Sequence, residues 1–137
     1  MVDDRLRRFV EAQASVYAGA LAELRAGRKR THWMWFVFPQ IAGLGHSAMA
    51  QRYAIQSRAE AVAYLAHDTL GARLRECTQA VLDVPGRTAH EIFGSPDDVK
   101  FRSCMTLFDA IAPRDIFDAA LARFYAGQRD PETLERL

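Results

Sequence analysis

The stretch from Lys29 to Gln40, KRTHWMWFVFPQ, runs from a basic cluster directly into two tryptophans and two phenylalanines. Basic side chains keep their charged heads in water or against an anion, whereas large rings contribute most when they are buried. The segment should therefore begin at the surface and enter the core, and such a junction could form the wall of a pocket. Guanidinium and ammonium groups bind phosphate and indole rings stack on bases, so this composition suits an anionic, ring-bearing ligand. The alternative is a solvated helix end, where cations interact favourably with the helix dipole.

Six side chains of this stretch are candidates for ligand binding. The imidazole of His32 lies between the charges and the rings, where it could serve as an acid or a base near neutral pH, or have a structural role. Gln40 could hydrogen-bond a ligand or close a turn. The candidates are Lys29, Arg30, His32, Trp33, Trp35 and Gln40.

A second polar cluster lies on the predicted helix that follows Ser95. Positions 99, 102, 103 and 106 share one helical face, so Arg102, Ser103 and Thr106 form a polar patch, with Lys100 nearby. The positive end of the helix dipole lies just upstream, and the arrangement could bind a phosphate; an ordinary exposed polar face is the alternative. We therefore add Lys100, Arg102 and Ser103 to the binding candidates.

Catalytic motifs are absent from the sequence. It contains no P-loop, GxGxxG, HExxH, GxSxG or paired CxxC motif, which removes the commonest nucleotide-binding, zinc-hydrolase and serine-hydrolase functions. Cys77 and Cys104 lack the local spacing of metal ligands, and we expect both to be reduced thiols that fill core space. We predict no metal and no cofactor, and His32 and Glu91 are the candidate catalytic acids or bases.

Length and charge limit the functions further. A chain of 137 residues that is 50% hydrophobic fits a single domain, residues 1–137, with a real core. Eighteen basic residues against seventeen acidic ones leave a formal net charge of +1, too little for a global field that holds nucleic acid or an anionic membrane. No apolar run is long enough to span a bilayer, and the start of the chain lacks a signal-peptide h-region. We therefore expect a cytoplasmic protein without a membrane or nucleic-acid partner.

The hydrophobic spacing along the chain is helical, with no sustained alternation of the strand type. S/T-x-x-E capping boxes begin helices at Ser57 and at Thr88, and Ser95 as N-cap with Pro96 at the first helical position begins another. From Trp33 to Phe38 every position is apolar, so the segment shows neither the alternation of a strand nor the stripe of a helix. Its conformation is therefore left open. The pattern predicts an all-α fold, a compact bundle of about seven or eight short helices.

Five blocks of the chain together resemble a bacterial family of unknown function, some members of which are labelled calpastatin-like. The resemblance implies an all-helical single domain and gives no activity. The blocks are RFVEAQ at 8 to 13, GRKRTHWMWFVFPQIAGLG at 27 to 45, RYAI at 52 to 55, EAVAYLAH at 60 to 67 and IFGSPDDVKFRSCMTLF at 92 to 108.

A fainter resemblance is to the superfamily of small helical domains that handle NAD and ADP-ribose derivatives and cleave N-glycosidic bonds. Arg7 and Arg8 stand where that superfamily has a Glu-His pair, and Ala14 stands where it has a lysine. The resemblance therefore implies an ADP-ribose-like ligand without that superfamily's catalytic equipment. The similar pieces are Phe9, Ala12, Gln13 and the acidic loop from Gly94 to Asp98 before the helix that bears Met105.

The leading hypothesis is a domain that binds a small anionic, nucleotide-derived ligand in a cleft between the 29–40 segment and the helix that starts at Ser95. Two other classes stay open: a hydrolase of such a ligand that uses His32 or Glu91, and a protein-interaction or structural module anchored by exposed aromatics. In the leading hypothesis, phosphate is neutralised by Lys29, Arg30 and Arg102, a ring stacks on Trp33 or Trp35, and polar groups are oriented by His32, Gln40 and Ser103.

Overall fold

The computed structural model describes residues 4–137, which form ten helices, numbered here in chain order. No strand forms among these residues, and their one β-type pairing is an isolated parallel bridge between Ile41 and Ile55. The helices are α1 (Asp4–Ala14), α2 (Tyr17–Arg25), α3 (Met34–Val37), α4 (Ala48–Arg52), α5 (Arg58–Ala66), α6 (Asp68–Leu82), α7 (Ala89–Phe93), α8 (Asp97–Ile111), α9 (Ile116–Tyr125) and α10 (Pro131–Glu135).

The all-α prediction is confirmed, but the predicted number of seven or eight helices was wrong. Four of the ten helices in the described part of the chain, α3, α4, α7 and α10, are only four or five residues long. Helices this short are marginal by themselves and are held by packing, so their sequences need not show a helical period.

Helix α8 is the centre of the core. It packs against α5, α7, α9 and α10, and its residues are buried on nearly every side, as expected for a helix surrounded by others. The Phe101 ring lies 5.0 Å from that of Phe38 and 4.7 Å from that of Phe93, measured between centroids. The segment after α2 and the short α7 are thereby fixed to the same helix.

The segment whose conformation the sequence left open is the single helical turn α3. Its Phe36 carbonyl accepts a hydrogen bond of 2.7 Å from the side-chain amide of Gln13, which is buried in α1. The same amide nitrogen donates to the Tyr64 hydroxyl at 3.2 Å, and the Gln13 oxygen accepts from Arg73. A buried carbonyl at the end of a short helix needs such a partner, and Gln13 provides it.

The approach to α3 is held by Glu23 of α2. Its carboxylate accepts hydrogen bonds from the backbone N–H groups of Arg30 and Thr31, at 2.6 and 2.9 Å, and from the Thr31 hydroxyl at 2.6 Å. The Trp33 indole N–H donates to it at 3.1 Å. One carboxylate therefore sets the path of the chain from the basic cluster into the core.

The predicted start of α8 needs a correction. The helix begins at Asp97, and its N-cap is Pro96, not Ser95. The proline ring offers no acceptor, so no side-chain cap forms there, and the Asp98 carboxylate accepts from the Val99 N–H at 2.9 Å. The capping box predicted at Thr88 is present, with both hydrogen bonds to Glu91.

Close packing of α5 and α6 should make Gly71 intolerant of any side chain. A Cβ atom at Gly71 would lie 2.0 Å from the Leu65 carbonyl oxygen. Because backbone cannot move aside cheaply, we expect Gly71→Ala to lower the free energy of unfolding by about 2 to 3 kcal/mol, measured by urea denaturation.

Gly19 in α2 is the matched control, because a Cβ atom there would meet no atom of the described chain within 4 Å beyond its chain neighbours and the backbone of its own helix. Gly19→Ala should raise the free energy of unfolding by roughly 0.5 to 1 kcal/mol through helix propensity. If both variants lose a similar amount of unfolding free energy, the clash at Gly71 is not the cause.

The hydrogen bonds to Glu23 predict a dependence of stability on pH. Burial alone would raise the pKa of this carboxyl, but the hydrogen bonds from Thr31, Arg30 and Trp33 outweigh it and lower the pKa from 4.5 to about 2. Since the folded state binds the proton less tightly than the unfolded state, the stabilisation is present above pH 4.5 and is lost as the pH falls toward 2.

We therefore expect Glu23→Gln to cost about 1 to 3 kcal/mol at neutral pH and progressively less as the solution is acidified. Urea denaturation at a series of pH values measures the difference from wild type. Glu11→Gln, which changes an exposed carboxylate of α1, is the control. If the loss of unfolding free energy in Glu23→Gln stays constant down to acid pH, the charge of Glu23 is not the source of the stabilisation.

Candidate functional site

A cleft of two adjoining lobes begins within the 35–56 segment, which by itself lines the inner lobe, and continues as an outer lobe between that segment and α8 with α10. Each lobe has a volume of about 210 Å³, and both are lined by Gln40 and Gly45. The polar and aromatic groups of the inner lobe are those of Trp35, Gln51, Tyr53 and Gln56. The outer lobe adds Val99, Lys100, Ser103, Asp130 and Glu132.

The wall of the inner lobe is built from backbone pairing. The Ile55 N–H donates to the Gln40 carbonyl and the Ala42 N–H donates to the Ile55 carbonyl, both at 2.8 Å. Gly45 lies so close to α4 that a Cβ atom on it would be 2.6 Å from the Ala50 methyl. The glycine-rich turn is therefore fixed against α4.

Trp35 and Lys100 meet where the two lobes join. Trp35 is half-buried, and the Lys100 ammonium lies 5.8 Å from the centroid of its ring. The Lys100 ammonium also lies 3.8 Å from the Asp97 carboxylate, and 26% of the Lys100 side chain is exposed. The ammonium is thus loosely paired and accessible from the cleft.

The other predicted cation of this region, Lys29, is already engaged. Its ammonium lies 2.9 Å from the Asp97 carboxylate, donates to the Thr31 carbonyl and sits 5.0 Å from the Trp33 ring centroid. Only 8% of its side chain is exposed. Lys29 therefore links the basic segment to α8 and does not line either lobe.

The remaining predicted residues lie outside the two lobes. Trp33 is 1% exposed and holds Glu23, while Arg30 and His32 are exposed at the surface. Arg102 donates to the Gln128 and Arg129 carbonyls at 2.8 and 2.7 Å. Trp35, Gln40, Lys100 and Ser103 are thus brought together, while ligand binding by any of the nine residues stays a prediction.

Glu91, the carboxylate candidate for catalysis, is exposed and completes the capping box of α7. The N–H and hydroxyl of Thr88 hold the pKa of its carboxyl below the ordinary value, so it is ionised at neutral pH. It lines neither lobe. Phe36 and Trp33 are buried as well, so neither provides the exposed aromatic anchor of the interaction-module hypothesis.

Asp130 is a cleft residue that the sequence did not single out for function. Its carboxylate accepts hydrogen bonds from the Ser103 hydroxyl at 2.9 Å and from the Thr133 hydroxyl at 2.6 Å. Burial raises the pKa of this carboxyl, but these hydroxyls outweigh it and the pKa lies below the ordinary value. No local pattern around Asp130 indicates that it meets Ser103, which lies 27 residues away in the chain.

The chemistry of the two lobes differs. Among the described residues that line the inner lobe none is charged, and its polar side chains are three glutamine amides, the Tyr53 hydroxyl and the Trp35 indole. The outer lobe has one ammonium and two carboxylates. No group of three or more potential ligands in residues 4–137 could hold a metal ion, and no helix of that range is long and apolar enough to cross a membrane.

Comparison with known proteins gives a family and no activity. No curated protein matches the chain. The crystal structure at 1.38 Å of the conserved hypothetical protein Rv1873 from Mycobacterium tuberculosis is 56% identical, with a TM-score of 0.94, and the match covers 96% of this chain and 95% of that one. The family described as "Protein of unknown function (DUF1810)" matches residues 3–137. The expected membership of a bacterial family of unknown function is thereby confirmed: the chain belongs to the DUF1810 family.

Proposed function

We propose that this protein binds a small, ring-bearing, nucleotide-derived ligand in the two-lobed cleft. The observation that carries the proposal is the convergence of Trp35 and Gln40 with Lys100 and Ser103 around one cleft. The two pairs come from separate parts of the sequence. The ring of Trp35, the amide of Gln40 and the ammonium of Lys100 are groups that such a ligand requires, while the Ser103 hydroxyl donates to Asp130 and orients that carboxylate.

The inner lobe suits the ring. A flat base can stack on the half-buried Trp35 indole, an interaction worth about 1 to 3 kcal/mol per base. The Gln40 side-chain amide has no hydrogen-bond partner among the described residues and lines both lobes. It can both donate to and accept from the edge of a base.

Lys100 supplies the positive charge for an anionic group of the ligand. Since Lys29 is paired with Asp97 and Arg102 with backbone carbonyls, little further positive charge reaches the cleft. The ligand should therefore carry few negative charges there. Binding is favoured over hydrolysis because His32 and Glu91 lie outside both lobes.

Binding can be measured by isothermal titration with AMP, ADP, NAD and ADP-ribose. We expect Trp35→Leu to weaken binding about 5- to 100-fold because the stacking surface is lost. Lys100→Gln should weaken binding of the phosphorylated ligands by roughly tenfold and have less effect on an unphosphorylated nucleoside.

Arg30→Gln is the matched control, because it removes one exposed positive charge from a residue that lines neither lobe. Its affinities should equal those of wild type. The proposal fails if none of the four ligands binds, or if Trp35→Leu binds as tightly as wild type while retaining its thermal stability.

A further inference from the structure

The outer lobe contains acceptor groups that a phosphate would avoid. Asp130 and Glu132 place two carboxylates beside the single ammonium of Lys100. Carboxylates repel phosphate oxygens, but they accept hydrogen bonds from hydroxyl groups. The part of the ligand that lies against these two residues should therefore be neutral and rich in hydroxyl donors.

The orientation of Asp130 is fixed. Ser103 from α8 and Thr133 from α10 both donate to the same carboxylate oxygen, so the group is held from two sides. Both hydroxyls donate to Oδ2, so the Oδ1 atom of this carboxylate is the one that can accept from a ligand. A charged acceptor that is held in place and borders a cleft is suited to a pair of neighbouring hydroxyls, as in a ribose.

Gln40 lies between the two lobes and connects the two kinds of chemistry. On one side are uncharged amides and the Trp35 ring; on the other are the carboxylates and Lys100. A molecule that places a flat, uncharged ring in one lobe and a hydroxylated group in the next has the layout of a nucleoside.

We infer that the outer lobe recognises ribose hydroxyls through Asp130, so that the ligand is a ribonucleoside unit with its base in the inner lobe and its sugar in the outer lobe. This inference rests on the proposed function. It adds that the protein discriminates ribose from deoxyribose and assigns that discrimination to one carboxylate.

The test compares adenosine, guanosine, cytidine and uridine with their 2′-deoxy and 3′-deoxy forms and with the free bases, by isothermal titration of the full chain. For wild type we expect at least one deoxy form to bind roughly tenfold or more weakly than its ribonucleoside, because a hydrogen bond to a charged acceptor is lost. In Asp130→Asn the difference should shrink to within about twofold, while the affinity for the free base stays unchanged.

Glu135→Gln is the control, since Glu135 is an exposed acid of the same helix that lines neither lobe. This variant should bind ribonucleosides more tightly than their deoxy forms by the same factor as wild type. If Asp130→Asn does not fold, as judged by its thermal unfolding, the wild-type comparison still decides whether ribose is recognised, and Glu132→Gln probes the second carboxylate.

Each outcome has a distinct meaning. Equal affinity of wild type for the ribo and deoxy forms overturns the inference and leaves the proposed function standing, provided that Trp35→Leu weakens both. Discrimination that persists in folded Asp130→Asn overturns the assignment to Asp130. If no base, nucleoside or nucleotide binds, the proposed function fails and the inference fails with it.

Discussion

The ion pair between Lys29 and Asp97 is the constraint on which the arrangement of the cleft depends. It joins the segment before α3 to the first turn of α8, and the Lys29 backbone N–H also donates to the Ile92 carbonyl at 2.7 Å. The side chains are only 8% and 20% exposed, so loss of either partner would leave a poorly solvated charge. With this contact in place, α3 follows close to α8, and Trp35 lies beside Lys100.

Local sequence rules predicted much of the fold because they describe interactions between near neighbours. The capping box at Thr88 depends on residues only three positions apart. The number of helices was predicted wrongly because the shortest helices depend on contacts between residues far apart in the chain. A single turn such as α3 is set by the buried Gln13 amide, which lies more than twenty residues upstream.

Long-range contacts that local sequence does not show also determine the side chains of the candidate site. Residue type and helical spacing indicated that Arg102, Ser103 and Thr106 form a polar patch on α8, but they could not show what covers it. The segment after α9 does so: Arg102 binds the Gln128 and Arg129 carbonyls, and Thr106 accepts from the Asp130 N–H at 3.0 Å. Much of the patch that suggested a phosphate site is therefore used to dock the C-terminal segment, and that docking brings Asp130 into the cleft.

Arg8 of α1 lines neither lobe of the cleft but supports it from within the fold. Its guanidinium is part of an internal hydrogen-bond network. It lies 2.8 Å from the buried Glu60 carboxylate and donates to the Ala54 and Arg52 carbonyls, at 2.8 and 2.9 Å. Glu60 in turn accepts from the Gln56 N–H. Since Ala54 and Gln56 line the inner lobe, Arg8 supports the wall of the cleft from behind, and the residues that line the cleft belong to the 35–56 segment, to α8 and to α10 with their N-cap residues.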